Sequence, residues 1–272
     1  MAIEAFFLPA AGGQRFCLFH PPPVAGRERG AVVFVHPFAE EMNKSRRMAA
    51  LQARRLAAAG YAVLQVDLLG CGDSSGNFDD ADWNAWLEDV RLAVAWLGRR
   101  SAAPLWLWGL RTGCLVAAAA ARELAGPVNF LFWQPTVSGK LYLQQFLRLK
   151  LAAALADGES RGMTRALRQL LAEGKAVEVA GYVLSPALAA GLEEADLAPP
   201  GRPGRTEWLE LSAQAEASLA PASRKCLEAW RQAGHQVRER VVGGQHFWQT
   251  VETTECPALL DATLETLEEA CP

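Results

Sequence analysis

The sequence predicts an α/β protein built on a mostly parallel sheet with helices on both faces. Three observations lead there. Short β-rich runs recur at 31–36 (AVVFVH), 62–67 (AVLQVD), 105–108 (LWLW), 128–133 (VNFLFW), 207–211 (EWLEL) and 237–242 (VRERVV). Helical patterns fall between them at 44–59, 81–99, 112–124, 222–234 and 257–270. Most of the strand runs are continuously apolar rather than alternating, as strands buried on both faces are. Two earlier runs, 5–8 and 15–19, joined by Ala-Gly-Gly, predict an antiparallel start to the same sheet.

Between 135 and 203 the strand–helix rhythm breaks. The segment reads as helical over 141–155 and 163–173 and ends in the breaker-rich Ala-Pro-Pro-Gly-Arg-Pro-Gly. It is too long for a crossover and too structured for a linker. The expected organisation is therefore a core of 1–135 and 205–272 with a helical cap over 136–204, inserted after the sixth strand.

Composition narrows the function. The 272 residues are 51% hydrophobic and carry 27 basic against 30 acidic side chains. That apolar share excludes a disordered chain, and a net charge of -3 lacks the basic excess that phosphate neutralisation needs. No nucleic-acid partner is expected. Six cysteines without CxxC spacing read as reduced thiols of a cytoplasmic protein, and the four histidines show no metal-ligand spacing. The N-terminus lacks the charged start of a signal peptide, and no run approaches a membrane span. No cofactor and no metal are expected.

Four motifs fall at strand ends, where ligands bind in open α/β sheets. They are His36-Pro37-Phe38, the glycine-rich turn 67–76 (DLLGCGDSSG), Gly109-Leu110-Arg111-Thr112-Gly113, and Gly243-Gly244-Gln245-His246-Phe247-Trp248. In this order and spacing the chain resembles the α/β-hydrolase superfamily over essentially its whole length, and the cap falls where that superfamily usually carries one.

The resemblance implies roles residue by residue. The superfamily's nucleophile elbow is Gly-x-Ser-x-Gly; here both glycines match and Arg111 stands at the nucleophile position. Arginine is permanently cationic and nearly non-nucleophilic, so standard serine catalysis cannot run through it. Beside a helix N-terminus, its fork favours an anion such as a carboxylate or phosphate; otherwise it pairs with a nearby carboxylate that closes the site. His246 matches the general base. Its acid partner is expected after the seventh strand, with Glu216 as the match and Glu210 as the rival. His36 matches the loop that builds the oxyanion hole, but Pro37 supplies no N–H, which leaves the donor to Phe38 or Ala39. Substitute nucleophiles are Cys71, Cys114 and Ser138. Cys114 lies three residues past Arg111, about 300° round the helix at about 100° per residue, which points to burial.

A narrower resemblance rests on 35–47 (VHPFAEEMNKSRR), the 67–76 turn, Trp108-Gly-Leu-Arg111 and Gly181-Tyr-Val-Leu-Ser185. It is to the second type of hydrolase associated with the exosortase A system, encoded with exopolysaccharide and protein-sorting genes in Gram-negative bacteria. Two functions follow as expectations. One is a hydrolase of unusual mechanism on a small-molecule, acyl or carbohydrate-linked substrate. The other is a pseudo-enzyme that binds an anionic acyl, glycan or peptide ligand, or serves as an accessory partner in polysaccharide or sorting machinery.

Overall fold

A computed structural model describes residues 2–155, 163–214 and 218–268. The chain runs β1 (Glu4–Ala10), β2 (Gly13–His20), β3 (Gly30–Val35), α1 (Glu40–Ala58), β4 (Tyr61–Val66), α2 (Trp83–Gly98), β5 (Leu105–Leu110), α3 (Gly113–Ala121) and β6 (Asn129–Trp133). After an inserted stretch come β9 (Arg205–Ser212), α7 (Pro221–Gln232), β10 (Gln236–Gly243) and α8 (Pro257–Glu268). The insertion carries α4 (Gly139–Leu155), α5 (Met163–Ala172), β7 (Val177–Val179), β8 (Tyr182–Leu184) and α6 (Pro186–Glu194).

The eight-stranded sheet has the order β1-β2-β4-β3-β5-β6-β9-β10. Strands β4, β3, β5, β6, β9 and β10 run parallel, while β1 and β2 are antiparallel to their neighbours, as the Ala-Gly-Gly joint implied. This is the α/β-hydrolase fold. One face is covered by α1 and α8, with Met48, Leu56 and Leu260 against Trp108 and Trp133. The other is covered by α2, α3 and α7, with Trp86, Leu115 and Trp230 in its core. All six residues of β3 are buried, which explains its unbroken apolar run. No helix among the described residues is long and apolar enough to cross a membrane.

The structure adds three elements to the sequence reading. The insertion is not purely helical: β7 and β8 form a hairpin whose turn residues Ala180 and Gly181 both have positive φ, 50° and 85°. Helix α6 was also unread, although Ser185 caps it by accepting from the Leu188 N–H and Pro186 opens it. Helix α1 starts at Glu40, four residues earlier than its periodicity implies. Ala39, at φ 50°, turns the chain, and Glu40 and Glu41 place negative charge on the first turn.

The insertion packs directly on the sheet. The Phe38 ring meets Tyr142 and Phe146 of α4 at 5.8 and 5.0 Å, Phe78 meets Tyr182 at 5.2 Å, and Ser185 Oγ donates to Ala81 O. A single apolar cluster thus runs from α2 through the β3–α1 loop into α4 and α6.

Candidate functional site

The β5–α3 turn is set by backbone contacts that admit only glycine on either side of Arg111. A Cβ on Gly109 would lie 2.7 Å from Cys114 Cα, and one on Gly113 would lie 2.2 Å from Val35 O. Between them Arg111 has φ 56°, a left-handed conformation that costs a non-glycine residue about 1–2 kcal/mol. Neighbouring elements hold it there. The Arg111 N–H donates to Trp133 O at 3.0 Å, and its carbonyl accepts from the N–H groups of Cys114 and Thr136. The strand-to-helix turn is therefore sharp and presents the Arg111 side chain at the C-terminal edge of the sheet.

Three side chains receive the guanidinium. Nε and Nη2 donate to Glu41 Oε1 at 3.4 and 3.3 Å, and the cation lies 5.8 Å from the Tyr142 ring centroid and 5.4 Å from that of Trp248. Nη1 has no acceptor among the described residues. Burial pushes the Glu41 carboxyl above its ordinary range, against the downward pull of Arg111 and the Tyr142 hydroxyl. Burial, reinforced by Glu41, pushes the Tyr142 hydroxyl well up. Glu41 Oε2 makes no hydrogen bond.

These groups line a cleft of about 380 Å³ between the start of α1, the turn, α4 and the loop after β10. Its walls are amphipathic: Phe38, Phe146, Leu149 and Trp248 supply apolar surface, and Glu41, Lys44 and Arg111 supply charge. Lys44 has no carboxylate partner among the described residues.

Other sequence-derived site residues take distinct positions. His246 is exposed; its Nε2 lies 3.2 Å from Leu211 O, and its ring stacks on Trp248 at 4.8 Å. Arg111 and His246 are thus gathered on the same indole, although His246 does not line the cleft. Glu210 is elsewhere: it is buried and accepts from Trp208 Nε1 at 2.8 Å. Glu216 lies outside the described residues. His36 is buried, with Nδ1 2.8 Å from Pro37 O and Nε2 accepting from the Leu68 N–H. Those contacts fix its tautomer, and burial pushes its pKa down, so it braces the loop as a neutral ring. Phe38 and Ala39 are both buried, and Ala39 ends that loop at the head of α1. No acceptor among the described residues takes the backbone N–H of Phe38 or of Thr112.

The thiols are poorly placed for attack. Cys114 is fully buried with Sγ toward Trp133 O, and burial raises its pKa well above the ordinary thiol value; Cys71 is buried and shifted the same way. Ser138 Oγ accepts from the Leu141 N–H at 3.5 Å at the foot of α4. The described residues contain no cluster able to hold a metal ion.

Glu41, Lys44, Tyr142 and Trp248 were not singled out from the sequence. Glu41 and Lys44 stand in the run 35–47 that carries the narrower resemblance, which marked the segment without separating its residues. Trp248 ends the motif after the last strand, which marked the loop for His246 rather than for the indole, and Tyr142 carries no local signal.

Comparison with known proteins agrees with this geometry. Residues 26–179, more than half of the chain, match the family model described as serine aminopeptidase, S33. No curated protein matches the sequence. Among solved structures, the esterase Est1E of Butyrivibrio proteoclasticus with bound ferulic acid superposes with a TM-score of 0.68 at 14% identity, covering 97% of this chain and 98% of that one. An α/β serine hydrolase without lid from Xanthomonas campestris gives 0.61 at 16%, covering 99% and 95%. A thermostable carboxyl esterase from Bacillus coagulans gives 0.60 at 15%, covering 99% and 98%. At such identities these three show the shared fold alone, whereas the family model rests on the sequence itself: the chain belongs to the serine aminopeptidase S33 family of α/β hydrolases.

Proposed function

We propose that this chain is a hydrolase-fold binding protein that has given up the serine route and holds an anionic ligand with an apolar body at Arg111. The observation that carries the reading is the side chain on the left-handed turn: a guanidinium, aimed into an amphipathic cleft, where the family's motif places a serine hydroxyl. An anion gains charge-assisted hydrogen bonds from Arg111 and attraction from Lys44, while its body rests on Phe146, Leu149 and Trp248. The insertion of 136–204 serves as the cap, because α4 supplies one wall. The exosortase-associated subgroup, a cytoplasmic location and an accessory role beside polysaccharide or sorting machinery belong to the same proposal, supported by 35–47 and the other runs quoted above.

Ferulate serves as the first probe, since it joins a carboxylate to an aromatic body and the cleft has matching walls. Titration should quench tryptophan fluorescence through Trp248, and Arg111→Ala should abolish the change. The native protein should leave a fluorophosphonate unreacted. Labelling of a serine sinks the reading.

One observation favours a second reading, hydrolysis by an unusual route. The N–H groups of Phe38 and Thr112, which no acceptor takes among the described residues, stand at the positions from which the superfamily's motif draws donors for a developing oxyanion. Turnover of p-nitrophenyl esters, lost on His246→Ala, would establish it.

A further inference from the structure

Arg111 and Glu41 form an unusual ion pair, and its loose ends point to how a ligand is taken up. Only Glu41 Oε1 is used, at 3.3 and 3.4 Å, long for a charge-assisted bond. Oε2 makes no hydrogen bond. On the other partner, Nη1 has no acceptor among the described residues. The pair therefore has one unused donor and one buried, unsatisfied acceptor in the wall of the cleft that both residues line.

Resting on the ligand-binding reading above, we infer that the cleft binds a monocarboxylic acid together with one proton, which the Glu41 carboxyl takes up as the ligand carboxylate replaces it on Arg111. The ion balance is explicit. An anion and a solvent proton enter; the Arg111–Glu41 pair becomes an Arg111–ligand pair with a neutral Glu41 carboxylic acid beside it. Two carboxylates beside one guanidinium repel each other, so the more buried of them is pushed toward its neutral form. Glu41 is the one that changes because it is buried and its Oε2 accepts no hydrogen bond, so its charged form is the less satisfied of the two once Arg111 turns to the ligand.

The surrounding charges leave this exchange intact. Glu40, on the same helix, is occupied by Asn43 and the Tyr182 hydroxyl. Tyr142, on α4, is held in its phenol form. Lys44, on α1, is the one other cation lining the cleft among the described residues, and it draws the anion in from the mouth, where Leu149 is an exposed apolar residue. From the loop after β10, Trp248 and Gln249 bring no charge.

Calorimetric titration of the full chain with ferulate, and with octanoate as an aliphatic probe, tests this in buffers of different ionisation enthalpy from pH 6 to 9. We expect up to one proton taken up per ligand and a Kd that rises about tenfold per pH unit wherever free Glu41 is ionised. In Glu41→Gln the uptake should vanish and Kd should become independent of pH, with the melting curve reporting that the variant is folded. Binding without proton uptake anywhere in that range overturns the inference and leaves the binding reading standing. The same holds if uptake persists in Glu41→Gln. No binding of either probe overturns both.

Discussion

Two arginine–carboxylate pairs in this molecule look alike on paper and behave as opposites. Arg15, from β2, meets Asp89 of α2 at 2.6 Å with the two side chains 2% and 3% exposed. The remaining groups there are used: Arg15 Nη2 donates to Ala11 O, and Asp89 Oδ2 accepts from the Leu69 N–H. Arg111 meets Glu41 at 3.3 Å, with both side chains 15% exposed and one oxygen left over. A closed, fully bonded pair fixes structure; an open pair beside a cleft retains capacity for a third group. The first ties the β1–β2 start of the sheet to α2, and the second leaves its spare groups to a visitor.

The sharpest way to break that contrast is to remove one acid from each pair. Asp89→Ala leaves the buried Arg15 cation without its counter-charge and the Leu69 N–H without an acceptor, a loss of about 3–5 kcal/mol that a denaturant melt will show. Glu41→Gln keeps an amide oxygen beside an arginine that already lines the cleft, so the cost should stay at about 1 kcal/mol or below. Equal losses would show that the Arg111 pair is as structural as the Arg15 pair. Arg111→Gly sharpens the point further. It relieves the left-handed backbone by roughly 1 kcal/mol while deleting the ion pair, so the melt should hardly move although ferulate binding disappears.

The pH dependence of stability carries a smaller effect. Burial lowers His36 below its ordinary 6.5, so the folded chain prefers the neutral ring and the unfolded chain binds more protons. Stability from this residue is present above the unfolded value and is lost as pH falls below 6.5 toward the folded pKa, by up to about 1.4 kcal/mol per pH unit. Glu41 and Asp89 work the other way, because their raised values make stability fall as pH rises above the ordinary carboxyl range. The clean readout is a difference: His36→Gln should have a shallower loss than the native chain between pH 7 and 5, and identical slopes would mean that His36 does not titrate with folding.

Much of this was legible in the residues, for physical reasons. Strands such as β3 and β6 are buried on both faces, so their apolar runs are unbroken, and the Gly109–Gly113 turn reads directly because close backbone approach leaves no room for a Cβ. What stayed hidden was short or distant. Strands β7 and β8 have three residues each, too few for periodicity to register. Arg111 was legible at the nucleophile position of the turn, but its partner Glu41 lies 70 positions away and is brought near only by the β3–β5 pairing that aligns the head of α1 with the turn.

The smallest expected effect is the most telling about chemistry. Arg111→Ser rebuilds the Gly-x-Ser-x-Gly turn on a backbone that already holds the required left-handed geometry. A hydroxyl still needs a base. His246 has its Nε2 against Leu211 O and its ring stacked on Trp248, and no carboxylate among the described residues is hydrogen-bonded to it. A serine without its base falls short of a complete triad by roughly 10⁶ in turnover. Fluorophosphonate labelling of Arg111→Ser should therefore stay at background. Labelling at position 111 would mean that the loop after β10 swings His246 onto the turn, and that the arginine alone separates this chain from a working esterase.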